Sequence, residues 1–138
     1  MLINNIEEFD PYGSKIHKAS DEEVIDNLTL NTFPMTFLTR FMGAEMKKRE
    51  GAHKSAIITM ASYYSQYPSP NAPVFGASKA YQDVVSQTVG MENIDMDILT
   101  VKNMPSKSKL HPYGVNPLDT VEGVFMDLGQ ERISYGHW

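Results

Sequence analysis

Residues 55–90 read SAIITMASYYSQYPSPNAPVFGASKAYQDVVSQTVG. Ala56–Ala61 is a short apolar run between two serines, with the length and composition of a buried strand. Pro68, Ser69, Pro70, Asn71 and Pro73 follow as a turn-rich segment. Phe75-Gly76-Ala77-Ser78-Lys79 then opens a helical pattern that runs from about Gly76 to Met91. Ala77, Ala80, Tyr81, Val84, Val85, Thr88 and Val89 form the small and apolar face of that helix, the side expected to pack. A strand, a loop and a helix in this order are the repeating unit of an α/β fold.

Outward from this stretch, the chain supplies more of the same. Toward the amino end, Met1-Leu2-Ile3 is a short apolar start closed by Asn4-Asn5, and residues 6–19 read as a polar loop punctuated by Pro11 and Gly13. Ser20-Asp21-Glu22-Glu23 is a capping box, a Ser N-cap with Glu three positions on. The helix it starts carries Val24, Ile25, Leu28, Phe33, Phe37, Phe41 and Met42 at mostly three- and four-residue steps, with Pro34 as an expected kink or break. Lys47, Lys48 and Arg49 suit its negative end, and Gly51 its stop. Toward the carboxyl end, Asp95–Val101 reads as a strand. Residues 116–129 read as a short helix capped near Asp119 or Thr120 and stopped at Gly129, after which Ile133–Trp138 closes the chain.

Composition narrows the function classes. A chain of 138 residues is long enough for one core but short for a nucleotide-dependent oxidoreductase. The net charge of -5, without a basic cluster, argues against a nucleic-acid surface. No apolar run approaches the ~18 residues of a membrane span. The absence of cysteine removes disulfides and thiolate metal sites and leaves the compartment undecided. His17, His53, His111 and His137 have no ligand spacing, so no metal is expected.

Ser62 stands thirteen residues before Phe75, and Lys79 four after it. This resembles the active-site segment of the short-chain dehydrogenase/reductase family, in which a serine ends a strand and a Tyr-x-x-x-Lys pair opens the next helix. The tyrosine position holds Phe75. Asn4-Asn5 is similar to the family's apolar-Asn-Asn-Ala-Gly strand end, with Ile6 and Glu7 where Ala and Gly would stand. Asn31, just before Pro34, matches the family's relay asparagine, and Ser108 falls at the threonine that contacts the nicotinamide amide. Pro117, Val121, Leu128-Gly129 and Tyr135-Gly136-His137-Trp138 look most like the branch of 3-oxoacyl-CoA reductases and 17β-hydroxysteroid dehydrogenases.

The resemblance implies a fold and a set of roles. The fold is α/β and truncated Rossmann-like: the C-terminal half of a doubly wound parallel sheet, about three strands with flanking helices, over residues 1–138. In the family the tyrosine phenol donates a proton to the substrate carbonyl, the lysine tunes that phenol and binds the nicotinamide ribose, and the serine holds the substrate oxygen. The asparagine holds a water of the proton relay. Taken singly, Ser62 is an ordinary strand end, Lys79 a solvated helix residue, Phe75 a core aromatic and Asn31 a local hydrogen-bonder; the joint spacing favours the family reading.

Two functions follow as expectations. Phe75 removes the transferable proton, and a positioned acid contributes ~10²–10⁴-fold in rate. No G-x-x-x-G-x-G occurs to seat a pyrophosphate at a helix end. Asn31, Ser62, Phe75 and Lys79 are therefore expected to be a vestigial catalytic set, and Asn4, Asn5, Lys79 and Ser108 a vestigial cofactor set, with no cofactor bound. The first reading is a non-catalytic relic serving as an accessory subunit. Its protein partner is to be held by the helices around Asn31 and Lys79, the family's dimer interface, and by an open sheet edge. A related reductase or a large assembly such as a mitochondrial membrane complex would be that partner, an expectation taken from how accessory subunits arise. The alternative is the C-terminal half of a split NAD(P)-dependent 3-oxoacyl-CoA or steroid reductase completed by another chain.

Overall fold

A computed structural model of the chain describes residues 1–8, 15–49, 55–70, 72–93, 95–103 and 116–136. Four parallel strands, β1 (Leu2–Asn4), β2 (Ala56–Met60), β3 (Asp97–Val101) and β4 (Ile133–Ser134), lie in the order β1-β2-β3-β4. The helices α1 (Asp21–Lys47), α2 (Pro73–Glu92) and α3 (Pro117–Asp127) connect them in turn. The architecture is the truncated Rossmann-like sheet that the sequence predicts, with one strand more, because Ile133–Ser134 pairs with Thr100–Val101.

Strand alternation assigns the helices to faces. Ile57 and Ile98 point to one side, where they pack with Met46 and Met42 of α1 and Val89 of α2. Ile58, Leu99 and Val101 point to the other, against Val124 of α3. The sheet is thus wound on both sides, with α1 and α2 sharing one.

Local chemistry sets the helix ends. Ser20 Oγ accepts the Glu23 amide at 3.2 Å and the Glu23 carboxylate accepts the Ser20 amide at 2.7 Å, the expected capping box. α1 runs its 27 residues, ~40 Å, through Pro34 without a break. α2 begins at Pro73 rather than Gly76, because a proline at the first helical position loses no hydrogen bond. α3 is capped by Asn116, whose side chain accepts the Leu118 amide at 3.0 Å, and not by Asp119 or Thr120. Gly129, at φ +80°, takes the left-handed position just past its last turn. Gly136, at φ +67°, is needed for space as well, since a Cβ there would collide with Asn103 Nδ2.

The faces of α1 and α2 depart in part from the expected pattern. In α2 the residues against the protein are Phe75, Ser78, Lys79, Gln82, Asp83 and Ser86, whereas Ala77, Tyr81, Val84 and Thr88 are exposed. In α1 the buried residues are Asn31, Met35, Thr39 and Met46. Phe33, Phe37 and Phe41 lie 57%, 60% and 70% exposed, with Ile25, Leu28, Leu30 and Leu38 also open. The inner faces of both helices mix polar groups with a few apolar ones (Met35 and Met46 of α1, Phe75 and Val89 of α2), and much of their apolar surface lies outward, unlike an ordinary surface helix. Among the described residues no helix is long and apolar enough to cross a membrane.

Candidate functional site

The carboxyl ends of β1 and β2 and the first turns of α2 converge on Lys79, whose side chain is wholly buried. An ammonium has three protons to donate and accepts none. Lys79 Nζ donates to the Met60 carbonyl at 2.9 Å and to Gln82 Oε1 at 3.2 Å, and it pairs with the Glu7 carboxylate at 2.9 Å. All three donors are engaged inside the chain. Nζ also lies 5.6 Å from the centre of the Phe75 ring, within cation–π range. Burial lowers the Lys79 pKa below its usual 10.5, and the Glu7 charge and hydrogen bond oppose that shift.

Gln82 continues the line. Its Nε2 donates to the backbone carbonyl of Asn31, so one amide side chain joins Lys79 on α2 to Asn31 on α1. The Asn31 side chain is turned the other way. Its Oδ1 accepts the Glu8 amide at 2.9 Å and its Nδ2 donates to the Glu8 carbonyl at 3.1 Å. Asn27 Nδ2 reaches the same carbonyl at 3.2 Å. Asn31 thus grips the backbone one residue beyond Glu7, on the segment that leaves β1.

Ser62 is buried, and its Oγ accepts the Tyr64 amide at 3.3 Å to cap the 3-10 turn Tyr63–Ser65. Phe75 packs edge-on to Tyr64, with ring centres 5.9 Å apart. The structure therefore gathers Asn31, Phe75 and Lys79 around one centre and sets Ser62 on the adjoining turn. Asn4 is buried and donates to Thr39 Oγ1 at 3.0 Å, while Asn5 faces solvent. Ser108, His53, His111 and His137 lie outside the described residues. Among the described residues no three His, Cys, Asp or Glu side chains group as metal ligands.

Three participants were not singled out as site residues from the sequence. Gln82, three residues after Lys79, shares its helix face and was findable on that ground. Glu7 was not, because only the path of the segment after β1 brings its carboxylate to Lys79. The third is the buried pair of Asp83 with Lys102, 2.9 Å apart, which ties α2 to the end of β3.

A dinucleotide does not fit this arrangement as it stands. A ribose hydroxyl seeking Lys79 meets an ammonium whose three protons are already donated to Met60, Gln82 and Glu7.

The model of the family described as short chain dehydrogenase matches residues 1–107. The inactive hydroxysteroid dehydrogenase-like protein 1 of Homo sapiens is 28% identical over 105 residues, 76% of this chain and 31% of its own length. The Rattus norvegicus protein of the same name is 25% identical over 126 residues, 91% of this chain and 35% of its own. The chain thus spans about a third of the length of these relatives. Among solved structures, the bulky-bulky ketone specific alcohol dehydrogenase from Comamonas testosteroni superposes with a TM-score of 0.81 at 18% identity, over 96% of this chain and 53% of that one. A 4-hydroxyisoleucine dehydrogenase complexed with NADH gives 0.75 at 17%, over 91% and 59%. At such identities these two likenesses concern the fold.

Proposed function

The chain belongs to the short chain dehydrogenase family, and from that premise we propose that it is a member without turnover, retained as a protein-binding subunit. The observation that carries this reading is the state of the site. Position 75 offers a ring without a proton to give, and the lysine that would tune a phenol there spends its three donors on Met60, Gln82 and Glu7. The names of the mammalian relatives, which include the word inactive, support the same direction.

The binding role rests on α1 and α2. A row of Phe33, Phe37 and Phe41 with Leu30 and Leu38 beside it on α1, joined by Tyr81 and Val84 of α2, is an apolar surface of the kind that partners cover. The two helices are held together here by Thr36 and Tyr81, whose hydroxyls lie 2.8 Å apart. The partner is a protein with a matching apolar helical face, and the β1 edge, where Ile3 is half exposed, extends the contact.

The competing reading is one half of a split NAD(P)-dependent reductase. The line from Asn31 through Gln82 to Lys79 favours it, and Phe75 and Glu7 oppose it. Gentle purification from the native source separates the two. Stable protein partners without nucleotide in an acid extract are expected. Stoichiometric NAD(P)(H), with a companion chain carrying a Gly-rich phosphate turn, would overturn the proposal.

A further inference from the structure

We propose that Glu7 is an intramolecular ligand of Lys79, a carboxylate carried on a clamped strap that fills the last donor of a buried ammonium and shuts it off from solutes. The inference goes beyond the protein-binding role and stands or falls without it. It concerns residues 5–8, which leave β1 and cross the mouth of the lysine site.

The three partners of Lys79 are not equivalent. The Met60 carbonyl belongs to β2, and the Gln82 side chain is buried and fixed at its other end by the Asn31 carbonyl. Neither can leave without disturbing the sheet or the α1–α2 contact. The Glu7 side chain is 51% exposed although its carboxylate touches an ammonium with no exposure at all. It is therefore the outermost partner, and the one that can be removed.

A free glutamate on a mobile turn would lose side-chain and backbone entropy on binding. Here that cost is met by the next residue. The Glu8 amide and carbonyl are both held by the Asn31 side chain, and the carbonyl is held again by Asn27. Asn31 is buried, and its Nδ2 also donates to Asn27 Oδ1 at 3.1 Å, so the clamp is itself rigid. The strap is thus anchored on α1 one residue past the carboxylate that reaches α2. Preorganisation of this kind makes an internal ligand outcompete dilute external ones. With Glu7 absent, one ammonium proton would point to the opening, and the chemistry it would accept is an anionic oxygen, a small carboxylate first.

The test is the reactivity of Lys79 in the folded full chain. N-acetoxysuccinimide labels the lysines, and peptide mass spectrometry reads the rate at Lys79 against exposed Lys48 and buried Lys102. In the wild type, Lys79 is expected to react at least about a hundredfold more slowly than Lys48, since only local opening reaches it. Glu7→Ala is expected to raise the Lys79 rate about tenfold with Lys102 unmoved, and sodium formate at about 0.1 M to reverse half or more of the gain while chloride of equal ionic strength does not. Glu7→Met keeps the bulk of the side chain without an acceptor and carries the test if the alanine variant does not fold. An unchanged Lys79 rate, a parallel rise at Lys102, or equal effects of formate and chloride would each overturn the proposal.

Discussion

Replacing Phe37 by serine separates the two jobs of α1. The ring is 60% exposed and meets Phe33 edge-on, with centres 6.1 Å apart. A fully buried phenylalanine contributes ~3 kcal/mol at the upper end. Covering the open three-fifths of this ring in a complex therefore supplies about 1.8 kcal/mol, or roughly a twentyfold change in affinity. Within the isolated chain the same substitution removes the edge contact, ~0.5–1.5 kcal/mol, and the burial of the covered two-fifths, about 1.2 kcal/mol. The assay is competition: tagged wild-type and Phe37→Ser chains are offered to the native assembly, and their incorporation is compared at equal concentration. Incorporation of the variant is expected to fall about twentyfold, with a melting temperature lowered by about 6–9 degrees. The free variant should also stay in solution at higher concentration, because an exposed apolar row is an aggregation hazard. Equal incorporation would refute the assignment of this face to a partner. A collapse in melting temperature would refute it differently, by showing that the ring belongs to a core.

Other outcomes follow from the buried polar groups. Lys79 has a folded-state pKa below its unfolded 10.5, so in the window between the two values the unfolded chain holds more protons and stability rises with pH. Melts taken at increasing alkaline pH, up to the unfolded 10.5, should show that rise in the wild type and its loss in Lys79→Met. Phe75→Tyr should give no ketone-dependent oxidation of NADH or NADPH above the blank, because the new phenol meets a lysine already saturated by Glu7, Gln82 and Met60; measurable turnover would show that the strap yields. Asp83→Leu strands a Lys102 side chain that is 4% exposed and should cost about 3–5 kcal/mol in denaturant unfolding. The double variant with Lys102→Met should recover most of that loss, and failure to recover would show that Gln87, which donates to Asp83 at 2.6 Å, carries the effect.

What could be read from the sequence was what is decided locally. The Ser20–Glu23 box and the stop at Gly129 depend on residues three or four apart, and both appear where spacing put them. The β2 strand was legible because both its neighbours bury it and its apolar run is continuous. β4 was hidden, since two residues carry no period. Helix starts slipped at Pro73 and Asn116, where a proline at the first helical position reads equally well as the end of a loop. The candidate site was half legible. Residues 75 and 79 are fixed by one helix and Gln82 follows from the same face, but Glu7 and Glu8 reach the site along a path that no pattern encodes. The faces of α2 were read in part backwards for a physical reason. Periodicity finds an apolar stripe and assumes that it is buried, and here Ala77, Tyr81, Val84 and Thr88 of that stripe are outside while Val89 alone joins the core cluster.

That reversal links the site to the surface. Each polar group on the inner face of α2 has a named partner: Ser78 on the Phe75 carbonyl, Lys79 and Gln82 in their line, Asp83 on Lys102, and Ser86 with Thr100 Oγ1 at 2.8 Å. A satisfied network of this kind sets the rotation of α2 on the sheet uniquely, because turning the helix by one residue would leave several buried groups unpaired. It contributes little net stability for its size, since each bond replaces one to water. Apart from Phe75 and Val89, much of the apolar area that would ordinarily stabilise such a helix lies on its outer side. On the proposed binding role, covering that outer side would bury apolar area that the isolated chain leaves open, and the same two helices hold Lys79. Loss of the partner should therefore loosen the lysine site, seen as faster amide exchange at Gln82 and Asp83, before it loosens β2 and β3. Exchange that speeds first in the strands would show that the sheet, and not the helix pair, is what the partner holds.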